Sequence, residues 1–177
     1  MRRRLISLIR VRPRPGEKSL GVLLFGPRVL AVVLGRGGIK ANKREGDGAT
    51  PRGGFRPVRL WWRADRHPRP RTLLPVRRIT PDLAWCEDPA DRRYNRPFRR
   101  SMGEAGDRLW RGDYLYDFVI EIDHNVRPRV AGRGSAVFLH VSRPNRSPTA
   151  GCVAMAKRDL RRLLEGLGPK TRIRIHN

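Results

Sequence analysis

Two residue types that together can break and form amide bonds lie twelve positions apart in this chain, His140 and Cys152. His140 ends an apolar segment, and Cys152 follows Gly151 after a polar loop at residues 142–150. An imidazole within hydrogen-bond distance of a thiol accepts its proton and leaves the nucleophilic thiolate. A glycine before the cysteine permits an unusual backbone conformation and a close approach of substrate. The pattern predicts His140 as base and Cys152 as nucleophile.

The same residues allow a second interpretation. Cys152 is followed by apolar Val153, Ala154 and Met155, and a lone cysteine in such surroundings is usually a small buried residue. In favour of catalysis, a helix is expected soon after Cys152. Its N–H groups would lower the pKa of the thiol and stabilise an oxyanion.

The segments that must position this pair are predicted to be mostly strands. Apolar runs or alternation predict strands at residues 5–11, 20–25, 29–34, 58–62, 114–122, 136–141 and 171–175. The second and third flank Gly26-Pro27-Arg28, which indicates a hairpin. One main helix is predicted at residues 160–167, where four leucines repeat at helical spacing, and Gly168-Pro169 ends it.

A chain of 177 residues has the length of one domain, which we expect to span residues 1–177. Residues 64–114 are polar, rich in Arg and Pro, and predict a loop-rich insert with at most a short helix near residues 100–110. Long irregular inserts in small domains are often functional. Trp85, Tyr94 and Asn95 are candidates for a lid over the site, or else the aromatic rings hold the insert in place.

The charge is strongly positive. Forty Lys and Arg against 16 Asp and Glu give a net charge of +24, and 35 of the 40 are Arg. Either the protein meets a polyanion, or its surface carries Arg where other proteins carry Lys. The aromatic residues are not interleaved with basic ones, and no helix-turn-helix or zinc-finger spacing is present, so we expect no specific nucleic-acid partner.

Cysteine spacing and hydropathy exclude other classes. Cys86 and Cys152 cannot build a disulfide framework, and without a CxxC pair or a Cys/His cluster no metal site is expected. No apolar run is long enough for a transmembrane helix. The chain starts with positive charge, but its apolar part is about five residues, shorter than the roughly 7–15 of a signal peptide. No ordinary export signal is therefore visible.

Two segments resemble the active-site signature of the L,D-transpeptidase (YkuD-like) catalytic domain family. They are residues 134–140 (GSAVFLH) and residues 147–153 (SPTAGCV). The family's signature is a glycine-containing strand that ends in His-Gly, followed by a loop and then by Ser/Thr-His-Gly-Cys-Val/Ile-Arg. Residues 50–55 (TPRGGF) are similar to the family's Thr-Pro-x-Gly-x-Phe segment. The resemblance implies a mostly β, sandwich-like fold with mixed strands and one main helix after the cysteine.

The sequence departs from the family pattern at three positions. Val141 replaces the usual glycine, Ala150 replaces the histidine before Gly-Cys, and Ala154 replaces the arginine after it. Since base and nucleophile both remain, these changes indicate a divergent branch. Arg143 or Arg146 would then supply the carboxylate contact of the missing arginine.

The resemblance implies peptidoglycan stem peptides as substrate and a bacterial periplasm or cell envelope as location. Cys152 would attack the carbonyl of the L-centre of diaminopimelate in a donor tetrapeptide and expel D-alanine. His140 would move the protons, and amides around Gly151 and Cys152 would hold the oxyanion. No cofactor is required. The product would be a 3-3 crosslink or a 1-3 crosslink from L-alanine to diaminopimelate, and the residues do not choose between them.

Further residues are candidates for substrate contacts. His124 and Asn125 follow a predicted strand, and His124 is the main rival for the base. Besides these and Arg143, the substrate-binding candidates are Ser147 and Thr149 in the loop before the cysteine, and Tyr94 and Asn95 in the insert. Two alternatives for the function stay open: a Cys/His carboxypeptidase or endopeptidase that uses water, and a basic polyanion-binding protein. The oligomeric state is not indicated.

Overall fold

A ten-stranded mixed β-sheet and one helix form most of the structure, a computed structural model that describes residues 5–177. The chain starts with the basic residues Arg2 to Arg4, which have the positive charge of a signal-peptide start. They lie outside the described residues. Within residues 5–177, no helix has the length and hydrophobicity needed to cross a bilayer.

The strands are β1 (Leu8–Pro13), β2 (Leu20–Phe25), β3 (Arg28–Val33), β4 (Ile39–Lys40), β5 (Thr50–Pro51), β6 (Gly53–Phe55), β7 (Pro57–Trp62), β8 (Val76–Arg78), β9 (Leu83–Trp85), β10 (Pro97–Arg99), β11 (Asp107–Arg108), β12 (Phe118–Ile122), β13 (Phe138–Val141), β14 (Val153–Met155) and β15 (Arg172–Ile175). The helix α1 is Lys157–Gly166 and connects β14 to β15.

The large sheet has the strand order β6-β15-β1-β2-β3-β14-β13-β12-β7-β8. Three neighbouring pairs are parallel, β1 with β15, β13 with β14 and β7 with β8, and the others are antiparallel. The prediction of a mostly β fold with mixed strands and one helix is confirmed. The hairpin is confirmed as well, since β2 and β3 pair from Leu20 with Val33 to Phe25 with Arg28.

The helix packs its leucines onto the sheet. Leu160, Leu163, Leu164 and Leu167 are buried in the main hydrophobic core together with inward residues of β1, β2 and β15. Burying a leucine side chain is worth roughly 1.5–3 kcal/mol, so these four hold the segment after β14 firmly against the sheet. The helix prediction is confirmed, although the helix begins at Lys157, before the first leucine.

The insert between β7 and β12 has few regular elements, as predicted. It contains β8 and a small three-stranded sheet in the order β10-β9-β11. The short helix considered near residues 100–110 does not form, because Asp107 and Arg108 pair with β9 instead. Gly103 and Gly106 have φ values of 80° and 142°, which lie outside the helical region and end any helix there.

Buried side chains attach the insert to the main sheet. The Trp85 ring packs edge-on against Phe138 of β13, with ring centroids 4.9 Å apart. The Asn95 side chain accepts hydrogen bonds from Trp85 Nε1 at 2.9 Å and from the Ala136 N–H at 3.2 Å. The Tyr94 hydroxyl accepts one from the Gly134 N–H at 3.0 Å. These contacts fix the segment that leads into β13.

Candidate active site

Two adjacent parallel strands bring the predicted pair together. In the β13–β14 register, Leu139 lies opposite Val153 and His140 opposite Ala154. Cys152 directly precedes β14 and therefore lies beside Phe138. Since alternate residues of a strand share a face, His140 projects from the same face as Phe138, next to Cys152.

Both side chains line one cavity of about 560 Å³. Of the other residues singled out from the sequence, the structure places Arg143, Ser147, Thr149 and Gly151 on the same wall. This volume falls within the range of roughly 300–1,000 Å³ that is typical of ligand sites. Sites of this size accommodate a segment of a peptide.

The Cys152 thiol is held by the backbone of the preceding segment. Its Sγ donates to the Ala136 carbonyl at 3.2 Å and accepts from the Phe138 N–H at 3.3 Å. Burial raises the pKa of Cys152 to about 12, although the hydrogen bond from the Phe138 N–H opposes this shift. The resting group is therefore a thiol at neutral pH.

The predicted effect of the helix on this thiol is wrong. Strand β14 separates Cys152 from α1, which begins only at Lys157. The influence of a helix terminus falls off within its first turn, whereas desolvation acts directly on the buried sulfur. The pKa of Cys152 is consequently raised and not lowered.

The His140 imidazole is buried and neutral. Its Nδ1 lies 2.9 Å from the Val141 carbonyl, which assigns the proton to Nδ1 and the lone pair to Nε2. Burial lowers the pKa of His140 to about 4, although the carbonyls of Val141 and Leu115 oppose this shift. The Tyr116 ring packs edge-on against the imidazole, with centroids 5.2 Å apart. In the described residues, imidazole and thiol share the cavity wall but are not hydrogen-bonded to each other.

Thr149 fixes the loop that carries the cysteine. Its Oγ1 accepts from the Gly151 N–H at 3.1 Å and donates to the Cys152 carbonyl at 2.7 Å. Its own N–H donates to the Leu34 carbonyl at 3.0 Å. Thr149 thereby connects the loop to the end of β3.

Gly151 has no room for a side chain. Its φ is 145°, and a Cβ added there would lie 2.8 Å from the Ala49 carbonyl oxygen. We expect Gly151→Ala to shift the neighbouring Cys152 and therefore to slow the acylation of its thiol by a carbapenem. Backbone strain should also lower the free energy of unfolding by about 1–3 kcal/mol. Intact-mass kinetics and urea denaturation measure both effects.

Gly112→Ala is the matched control, because a Cβ at Gly112 meets nothing within 4 Å and its φ is not positive. Equal acylation rates for the two variants would show that Gly151 does not position the nucleophile.

Four other candidates do not line the cavity. The buried Tyr94 and Asn95 attach the insert, as described above. The His124 Nε2 lies 3.0 Å from the Arg133 carbonyl, and burial lowers the pKa of His124. The Asn125 side chain donates to the carbonyls of Val130 at 2.9 Å and Gly134 at 3.0 Å. All four therefore support the segment that precedes β13.

The structure adds cavity residues that sequence reasoning missed. The insert contributes Glu87, Asp107 and Arg111, and Tyr116 follows shortly after it. The Tyr116 hydroxyl donates to Asp107 Oδ2 at 2.8 Å. The only signal for them in the sequence was the general one that the insert is polar and long.

Comparison with known proteins identifies the family of the chain. A sequence model of the L,D-transpeptidase catalytic domain (YkuD) matches residues 21–175. No curated protein and no solved structure matches the chain. The matched range runs from the second residue of β2 to the end of β15 and contains every residue that lines the cavity. The chain belongs to the L,D-transpeptidase catalytic domain family.

Proposed function

We propose that this protein is a peptidoglycan L,D-transpeptidase of the bacterial cell envelope, built as one catalytic domain, with Cys152 as nucleophile and His140 as base. One observation carries the proposal: His140 lies on β13, Cys152 directly precedes the adjacent parallel strand β14, and both side chains line the same peptide-sized cavity. Family membership supports the reaction class.

The first half of the reaction forms a thioester. A donor stem peptide places the carbonyl carbon of its L-centre against Cys152 Sγ, and the thiol proton moves to His140 Nε2 as the carbon–sulfur bond forms. Because burial keeps both groups neutral at rest, the proton leaves the thiol together with the attack and not before it. Backbone N–H groups near Cys152 stabilise the oxyanion, and each such donor is typically worth about 10²–10³ in rate.

The second half transfers the acyl group. The imidazolium returns its proton to the departing D-alanine amine, which leaves a neutral His140 beside the thioester. The side-chain amine of an acceptor stem then attacks the thioester carbonyl, and Cys152 leaves with a proton. The proposed contacts of the donor peptide are Arg143, Ser147 and Thr149, which all line the cavity. Arg143 takes the role of the arginine that the family has at the position of Ala154.

Product analysis of digested sacculi tests this function. Purified protein is incubated with sacculi or stem tetrapeptides, and muropeptides are separated and fragmented by mass spectrometry. New dimers support transfer, and their fragments distinguish 3-3 from 1-3 bonds. Shortened stems without dimers would show that the protein is a hydrolase that uses the same pair of residues, and not a transferase.

A further inference from the structure

Acidic side chains in this basic protein are mostly ion-paired. Asp117, for example, lies 2.8 Å from Lys157 and 2.9 Å from Arg66. Seven acidic side chains form no ion pair with any residue between positions 5 and 177, and three of them, Glu45, Glu87 and Asp107, line the cavity that contains Cys152. Glu45 accepts a hydrogen bond from the Tyr94 hydroxyl, and Glu87 and Asp107 are the two that the insert contributes. Unpaired carboxylates therefore lie at the site although the chain carries a net charge of +24.

The insert brings these two carboxylates close together. Asp107 lies opposite Trp85 in the pairing of β11 with β9, and Glu87 follows Trp85 by two residues. Burial, followed by the charges of Asp107 and Glu45, raises the pKa of Glu87 to about 7. Burial also raises the pKa of Asp107, against the effects of Tyr116 and Arg111. Within residues 5–177, neither carboxylate has a cation at ion-pair distance. Arg111, which acts on Asp107 from farther away, lines the same cavity together with Arg36, Lys43 and Arg143.

A third polar group lines the same cavity. The Ser135 side chain is 7% exposed, and its hydroxyl, a neighbour of the Tyr94 hydroxyl, makes no well-directed hydrogen bond within the described part of the chain. A buried hydroxyl without a partner is costly unless a ligand satisfies it. Two carboxylates and a hydroxyl are acceptors for the N–H groups of an organic cation.

The proposed reaction has an unassigned proton. An acceptor amine arrives as an ammonium group and must lose one proton before its nitrogen can attack. Conversion of the thioester and this ammonium group into an amide and a thiol releases one net proton. His140 only passes a proton from the attacking nitrogen to the leaving sulfur, so a different group must take the one released.

We propose that Glu87 and Asp107 form the acceptor subsite, where they bind the ammonium group of the incoming amine and take its proton, with Ser135 as a further hydrogen-bond partner. This inference rests on the proposed function. One N–H bond of the ammonium group breaks and its proton passes to the Glu87 carboxylate. The freed nitrogen lone pair forms the carbon–nitrogen bond as the carbon–sulfur bond breaks. The nitrogen's second proton reaches Cys152 through His140, and Glu87 then releases its proton to solvent.

Tyr116 positions this subsite relative to the base. Its hydroxyl holds Asp107 and its ring packs on His140. The acceptor carboxylates and the base are thus connected through one rigid aromatic side chain. The acceptor nitrogen would approach the thioester from the side formed by the insert.

A two-step assay tests the subsite. The acyl-enzyme is isolated with a donor tetrapeptide and then mixed with a stem tripeptide that carries a free side-chain amine. For Glu87→Gln with Asp107→Asn, we expect the second-order rate constant of aminolysis to fall by about 10²-fold, as for loss of a general base, and hydrolysis of the acyl-enzyme to fall far less. Glu165→Gln on the exposed side of α1 is the control. In the wild type, aminolysis should rise with pH through about 7, where Glu87 ionises.

Equal losses of aminolysis and hydrolysis in the double variant would overturn the subsite while leaving the nucleophile intact. If the wild type forms no acyl-enzyme, the proposed function is refuted, and the acceptor subsite is then tested by measuring how tightly the tripeptide binds. Calorimetry with Cys152→Ala protein and the same tripeptide then measures affinity. Weaker binding after Glu87→Gln and Asp107→Asn supports the subsite, and unchanged binding refutes it.

Discussion

Cys152→Ala is expected to abolish covalent capture of a carbapenem and the formation of any thioester. Sγ is the only thiol on the wall of the cavity, and an alanine methyl group cannot attack a carbonyl. The substitution removes two hydrogen bonds to the backbone, which together cost about 1–3 kcal/mol at 0.5–1.5 each. The protein should therefore still fold. Intact-mass spectrometry after incubation reports the adduct, and circular dichroism reports the fold.

Cys86→Ala is the matched control. Cys86 is also buried, but it packs with Ala84 and Phe98 and does not line the cavity. Burial raises its pKa as well, so it provides no thiolate at neutral pH. This variant should take up one carbapenem at the wild-type rate. An adduct mapped to Cys86, or one that persists in Cys152→Ala, would refute the assignment of the nucleophile.

His140→Ala is expected to slow acylation by about 10²–10⁴, which is the usual contribution of a positioned general base. Because burial lowers the pKa of His140 to about 4, the imidazole is neutral throughout the physiological range. Wild-type acylation should thus be nearly independent of pH between about 6 and 8 and should fall only in acid, as the imidazole gains a proton. Mass spectrometry of reactions quenched at successive times, over a series of pH values, gives both the acylation rate of the variant and the pH profile of the wild type.

His124→Ala provides the comparison for this second prediction. His124 lies off the cavity wall and contacts the Arg133 carbonyl and the Phe55 ring, so its loss should affect stability more than acylation. Urea denaturation and the acylation rate separate the two effects. A larger loss of acylation in His124→Ala than in His140→Ala would transfer the role of base to His124.

The insert explains why the cavity is not formed by the strands of the large sheet alone. Trp85 and Asn95 attach it to residues 136–138, directly beneath the nucleophile. The same attachment presents Glu87 and Asp107 to the cavity. A segment with little regular structure thus supplies one charged wall of the site.

Local sequence was sufficient to predict the longer strands and the helix, and it also indicated a candidate reactive pair. Alternating apolar residues were sufficient for β2 and β3, and the leucine spacing was sufficient for α1, because these patterns reflect burial on one face. The pairing of His140 with Cys152 was also accessible, since each residue lies at the boundary between an apolar segment and a polar loop. The short helix considered near residues 100–110 does not form, because Asp107 and Arg108 pair with β9 and the positive φ values of Gly103 and Gly106 lie outside the helical region.

The sequence by itself thus predicted seven of the fifteen described strands and the helix, and it indicated Cys152 and His140 as the reactive pair. Eight short strands, β14 beside the cysteine among them, were seen only in the structure. Only the tertiary structure decided that Glu87, Asp107 and Tyr116 share a cavity with Cys152 and His140, and that the thiol is protonated at rest. The physical reason is that burial and contacts between distant segments set charge states and cavity walls. Neither the charge state of a buried group nor the lining of a cavity is encoded in the spacing of neighbouring residues.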